Sequence, residues 1–250
     1  GAGAAIYSRD DITIEGSKVY AENAYSYPAI VTMGSTPNYI VRITDSEVKT
    51  KTSLWGLYNF LGAVEISNSA LDFTESAAGI YAQRYIEIDG GSVEAAEGCI
   101  SVRTGTEKIS SGENTGDITV RGSASINGII RSGMGEISIE DTAGINALVD
   151  QMKDNTLTVY GQHTQSKDLT IAEEQTLIVR EDAALTIPEG VELIVNGEVQ
   201  NNGAILNEGT ITAEGPVKNS GTLQNEGTIT NNDVIDNTGT IRNRGTMDGT

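Results

Sequence analysis

The feature that most limits what this chain can fold into is a six-residue period over its last fifty residues. Asparagine recurs at Asn201, Asn207, Asn219, Asn225, Asn231, Asn237 and Asn243, with Ala213 in the one gap. Glycine follows two positions after each slot, from Gly203 to Gly245, with Asp233 the exception. Two further on stands an apolar residue: Ile205, Ile211, Val217, Leu223, Ile229, Ile235, Ile241 and Met247. A fixed short period of this kind, N-x-G-T-I-x, marks a solenoid. No single repeat can bury its apolar side chain alone, so each does so by stacking on the next.

The size of one coil can be read internally. A lag of 18 residues superposes Thr210 on Thr228 and Thr246, and Thr222 on Thr240. The same lag brings the two irregular hexads, Gly215-Pro216-Val217 and Asp233-Val234-Ile235, to one face. Three hexads therefore make one three-sided coil. Upstream the period is eight: Leu169-Thr170-Ile171, Leu177-Ile178-Val179, Leu185-Thr186-Ile187 and Leu193-Ile194-Val195, separated by polar turns such as Pro188-Glu189-Gly190. Three octads predict a coil of 24 residues.

From Ile6 to about Asp150 the repeat is longer and looser. A small residue precedes an aliphatic at Ala5-Ile6, Ala29-Ile30, Gly56-Leu57, Gly79-Ile80, Cys99-Ile100 and Gly128-Ile129. A short alternating strand follows, as in Ile12-Thr13-Ile14, Val41-Arg42-Ile43 and Ile86-Glu87-Ile88. Period-2 alternation turns both aliphatics the same way, into a core. After a turn of Gly, Asp, Asn or Ser comes a third inward residue: Val19, Val48, Leu71, Val93, Ile126 and Ile145. Turn residues of these types tolerate tight backbone geometry.

The expected fold is all-β: a single-stranded parallel β-helix with three faces and about eleven coils, narrowing toward the C-terminus. It reads as one continuous solenoid over 1–250. Wide irregular coils occupy 1–150, a join 151–168, octad coils 169–200 and hexad coils 201–250. Right-handed winding is expected because parallel crossovers are almost always right-handed. Residues 6–150 carry [IV]-x-[IV]-x-[GDNS]-[GS]-x-x-V, as in Ile12 to Val19 and Ile86 to Val93, and so resemble the pectin-lyase-like superfamily. The N-x-G-T-I repeats resemble those of secreted bacterial surface proteins, filamentous-haemagglutinin-like adhesins among them. These resemblances imply a fold and a secreted or cell-surface setting, but no activity.

A net charge of −19 with no basic stripe argues against nucleic acid and against an anionic membrane surface. No apolar run approaches the roughly 20 residues of a membrane helix, so no direct membrane insertion is expected. One cysteine cannot build a disulfide framework. The start, Gly1-Ala2-Gly3-Ala4, lacks the pattern of a signal peptide, which is expected upstream and removed. Both ends fall within repeats, so flanking domains of a longer chain are expected to cap them.

The superfamily contains polysaccharide lyases and hydrolases, whose members combine acidic calcium sites with Arg or Lys, or clustered Asp pairs with Gly-His-Gly. Here the only histidine is His163, between Gln162 and Thr164, and Asp10-Asp11 is the only aspartate pair. That pair reads as a solvated turn. Arg84 and Arg103 lack acidic partners on the same strand face, and Cys99 reads as a small packed residue. The expectation is no catalytic residue, no metal and no cofactor.

The aromatic residues point elsewhere. Eight of nine tyrosines, the only tryptophan and both phenylalanines precede residue 86. After the inward aliphatics of coils one to four come Tyr7, Val31, Tyr58 and Tyr81, turned outward by alternation; two further on stand Arg9, Met33, Phe60 and Gln83. An exposed aromatic ladder with polar flanks suits the faces of sugar rings. The candidate carbohydrate-binding residues are therefore Tyr7, Tyr58, Phe60 and Tyr81, and the candidate partner is a polysaccharide or host glycan. Trp55 reads as a corner packing residue. The expected function is a non-catalytic adhesin or glycan-binding module at the cell surface or outside the cell. A purely structural stalk is the alternative. A polysaccharide-active enzyme, or ice binding on the small Thr210/Thr212 and Thr228/Thr230 grid, fits less well. Asn207, Asn225 and Asn243 are expected to hydrogen-bond amide to amide along the axis.

Overall fold

The computed structural model describes residues 3–24, 26–35, 38–106, 115–140 and 143–249. The chain forms two compact units: Gly1–Ile145 with Gln151–Lys153, and Asn146–Asp150 with Asp154–Thr250. Both are parallel β-solenoids, with about ten turns between them where the sequence suggests eleven. The described residues contain no α-helix, only one 3-10 turn at Met152–Asp154.

In the first unit three lanes of aliphatics stack at parallel register. One lane runs Ile12, Val41, Val64, Ile86, Ile118, Ile137, and a second runs Val19, Val48, Leu71, Val93, Ile126. Both match the spacing read from sequence. The corner between them repeats one left-handed residue: Gly16, Asp45, Asn68, Gly90 and Gly122, with φ of 55°, 49°, 46°, 72° and 64°. The next residue is usually serine, and its hydroxyl closes the turn. Ser46 Oγ donates to Thr44 O at 2.7 Å and Ser69 Oγ to Ser67 O at 2.7 Å, while the Ser46 amide donates to Ser69 Oγ at 3.1 Å.

The third lane departs from expectation. It runs Ile6, Ile30, Leu57, Ile80, then Val102 and Ile130, not Ile100 and Ile129. Val102 and Ile130 are fully buried, whereas Ile100 and Ile129 are partly exposed and the register slips between Ile129 and Ile130. The reason is Ser101. It is fully buried, its carbonyl stands where a side chain at Gly79 would point, and its hydroxyl lies close over Gly128. Ser101, not Cys99, is thus the small corner residue, and alternation resumes two positions later.

Small residues at this corner make room for Phe73, whose ring is wholly buried. A methyl group on Gly56 would run into that ring, and one on Gly79 would meet both the ring and Ser101 O. Phe73 therefore belongs to the core rather than to the outward aromatic set.

In the second unit the lanes run Leu157, Leu177, Val199, Val217, Ile235; His163, Leu185, Ile205, Leu223, Ile241; and Leu169, Leu193, Ile211, Ile229, Met247. A full 24-residue step occurs between Leu169 and Leu193. Neighbouring octad pairings are shorter, such as Leu177 with Val199 and Leu185 with Ile205, and the hexad pairings then settle at 18. The second inward position of each strand changes chemistry as the coil narrows. Val179 and Ile187 are succeeded by Asn201 and Asn207, then by Asn219 and Asn225. Residue 163 belongs to this core and not to an irregular join, since His163 lies on the inward side of Gln162–Thr164 in register with Leu185.

Candidate functional site

The two sets of residues singled out by sequence lie in different units. In the second unit, Asn207 Nδ2 donates to Asn225 Oδ1 at 2.7 Å, and Asn225 Nδ2 to Asn243 Oδ1 at 2.8 Å. A parallel chain links Asn201 to Asn219 and Asn219 to Asn237, each at 2.6 Å. Each amide spends its other hydrogen on a backbone carbonyl: Asn207 on Thr228 O at 2.9 Å and Asn225 on Thr246 O at 2.8 Å. Donors point toward the C-terminal coils, so the first member of each chain has an unused acceptor. Asn201 Oδ1 and Asn207 Oδ1 are buried without a donor, because Val179 and Ile187 precede them in register and offer none. Asn201, Asn207, Asn219 and Asn225 of this ladder are buried, whereas its last members, Asn237 and Asn243, are exposed.

In the first unit the outward lane beside the third aliphatic lane carries Tyr7, Val31, Tyr58 and Tyr81 in register. Tyr58 and Tyr81 stack with ring centroids 4.6 Å apart and planes 13° from parallel. Phe60, two residues after Tyr58 on the same side of the strand, has its centroid 6.3 Å from Tyr58. Trp55, read from sequence as corner packing, leans on Tyr81 at 5.5 Å and 58°. Tyr81 Oη donates to Gln83 Oε1 at 2.5 Å, which holds the ring in place. Gln83 was expected to face outward but is buried, its amide packed where a side chain on Gly105 would stand.

This geometry changes how the face could be used. Tyr58 and Tyr81 turn their ring faces toward each other at about the coil spacing, so a ligand meets their edges and not two open platforms. The freely accessible apolar surface is Phe60, 43% exposed, with Met33 beside it. Tyr7 is 51% exposed but separated from Tyr58 by Val31, which is 1% exposed, and its hydroxyl accepts a hydrogen bond from Arg9 Nε at 3.2 Å. Tyr27 and Leu54, also exposed, each precede an inward residue of the third lane, Ile30 and Leu57, by three positions. Six of the eight large apolar side chains that the described residues expose thus fall within residues 7–60.

Beyond Tyr81 the outward lane continues with Arg103 and then Arg131. Sequence reasoning weighed Arg103 only as a catalytic candidate and left both out of the aromatic lane, because it took Ile100 and Ile129 as the inward residues of the third lane. No local signal separates the two choices, since Ile100 and Val102 are both β-branched and alternate onto the same side; packing of Ser101 against Gly79 and Gly128 decides. Arg103 Nε is buried and has no hydrogen-bond partner. The Tyr58 phenol is pushed above its usual range by burial, an effect partly offset by the positive charge of Arg103.

Acid–base candidates are spoken for. Asp11 Oδ1 accepts the Ile40 amide at 2.8 Å, and its other oxygen lies 3.6 Å from Arg42. Arg42 also binds Glu65 at 2.9 Å, and Glu65 accepts the Tyr85 hydroxyl at 2.7 Å. Burial, and then that bond to Glu65, push the Tyr85 phenol up to about 12. An open groove along the second aliphatic lane of the first unit, lined by Lys18, Tyr20, Glu47, Lys49, Asp72 and Glu94, has its lysines paired with carboxylates. Lys18 meets Glu47 at 2.8 Å, and Lys49 meets Asp72 at 3.1 Å and Glu75 at 2.8 Å. Among the described residues no three His, Cys, Asp or Glu side chains converge on a point that could hold a metal ion. Comparison with known proteins finds no matching family model, no matching curated protein and no matching solved structure.

Proposed function

We propose that this is a non-catalytic binding module of a secreted or cell-surface bacterial protein, an adhesin-like β-solenoid that holds a polysaccharide or host glycan on its Tyr58–Tyr81 face. One observation carries the reading: Phe60 and Met33 are exposed beside a rigid Trp55–Tyr81–Tyr58 aromatic wall on a strongly acidic protein. Exposed apolar groups gathered on one face usually serve contact. Sugars suit such a face because their C–H surfaces pack on aromatic rings while hydroxyls reach polar neighbours. The relation to pectin-lyase-like proteins and to surface adhesins belongs to the same proposal and rests on the repeat motifs.

The mutual stacking of Tyr58 and Tyr81 favours a second reading, a spacer in which the aromatics only stiffen the sheet. A glycan array separates the two. The parent is expected to bind a subset of glycans, and Phe60→Ala and Tyr58→Ala to lose that binding while melting as the parent does. A silent array, or equal binding by folded variants, rejects the glycan reading.

A further inference from the structure

Resting on the glycan reading, we propose that the ligand of this face is an acidic glycan, a sugar chain bearing carboxylate or sulfate groups, and that Arg103 is the residue that selects it. Many basic side chains among the described residues already have a carboxylate partner. Lys18, Arg42, Lys49, Lys51, Arg121 and Lys218 each lie within 4 Å of at least one carboxylate oxygen. Arg103 has no ion pair among the described residues, although a net charge of −19 leaves acidic groups in large excess. Its position is specific: it follows Tyr81 in the outward lane, and its charge is felt at the Tyr58 hydroxyl.

Two features make this charge costly in the free protein. Arg103 Nε is buried with its hydrogen unused, and a buried donor without an acceptor is destabilising. Arg131 is the register partner of Arg103 in the next coil, and like charges directly opposite each other in a sheet repel. Arg131 already has an interaction partner, so the uncompensated charge rests on Arg103. An anionic substituent beside the Tyr58 and Tyr81 edges would supply the missing counter-charge. A neutral sugar would not. Guanidinium suits this task because it meets carboxylate or sulfate in a planar two-point contact.

The test is affinity electrophoresis of the purified protein through gels containing alginate, heparin or dextran, which are carboxylated, sulfated and neutral. The parent is expected to be retarded by alginate or heparin far more than by dextran, and the stronger of the two identifies the preferred anion. Arg103→Gln should weaken that retardation about tenfold, the loss expected for one charge-assisted contact. Arg242→Gln removes the same charge from an exposed site in the second unit and should leave retardation unchanged. Arg103→Lys keeps the charge and should preserve the preference for acidic over neutral chains even if Arg103→Gln melts early. Equal retardation by dextran, or equal behaviour of Arg103→Gln and Arg242→Gln, overturns the assignment while leaving the glycan reading standing. No retardation in any gel together with a silent array overturns both.

Discussion

Asn207 donates a side-chain hydrogen to the Asn225 carbonyl, 2.7 Å away and 18 residues later, in a core where neither side chain has exposed surface. The contact explains why the period is so strict. A chain of buried amides is stable only if every coil supplies an acceptor at the same height and angle, so a shift of one residue anywhere would strand a donor.

Asn225→Leu removes the acceptor of Asn207 and gives up the bonds to Asn243 Oδ1 and Thr246 O. Each buried group left unpaired costs about 1–3 kcal/mol, so a total loss of about 3 kcal/mol is expected. The check is a urea titration followed by far-UV circular dichroism. An unchanged midpoint would show that the amide chain contributes nothing to stability.

Gly56→Ala forces a methyl group into the Phe73 ring. Overpacking of this kind costs about 1–3 kcal/mol. Phe73→Leu should itself be destabilising, yet the double variant should be more stable than the two separate losses predict, because the smaller side chain leaves room for the methyl group. Thermal melts of the four proteins measure the coupling. Simple additivity would mean that the two residues do not share the space.

His163 is the one buried imidazole, and its Nε2 lies 3.3 Å from Gln165 Oε1. Gln165 Nε2 is committed to Lys167 O at 2.9 Å, which turns its oxygen toward the ring. Burial lowers the folded pKa below 6.5, and the Gln165 bond only partly opposes it. The unfolded chain then binds the proton more readily than the folded one. The His163 contribution is therefore fully present above about pH 6.5 and is lost as the pH falls through the folded value. His163→Gln should flatten the fall in urea midpoint between about pH 6.5 and 5, a window above most carboxylate titrations. A variant that keeps the parental slope would place the pH sensitivity elsewhere.

Legibility in the sequence follows the strength of the local pattern. The hexads were fully readable because each asparagine, glycine and aliphatic has one structural role and recurs without insertion. The first two lanes of the wide coils were readable because alternating aliphatics at Ile12-Ile14 or Val64-Ile66 leave one choice of inward face. The third lane was not. Cys99-Ile100 and Ser101-Val102 both offer a small residue before an aliphatic, and only packing against Gly79 and Gly128 decides between them. That ambiguity also hid Arg103 and Arg131 from the candidate site, while Phe73 and Gln83 turned out to be interior.

By itself the sequence determined that this protein is a parallel β-solenoid, where its coils narrow, and which asparagines stack, since period and alternation are properties of consecutive residues. The tertiary structure alone decided that Tyr58 and Tyr81 close their ring faces on each other and leave Phe60 open, because ring orientation is set only once the coils stand side by side. It also decided that Arg103 continues their lane with a charge that no carboxylate among the described residues answers. Pairings of that kind depend on register across coils of unequal length, and an insertion in one loop resets it without leaving a mark on the local pattern.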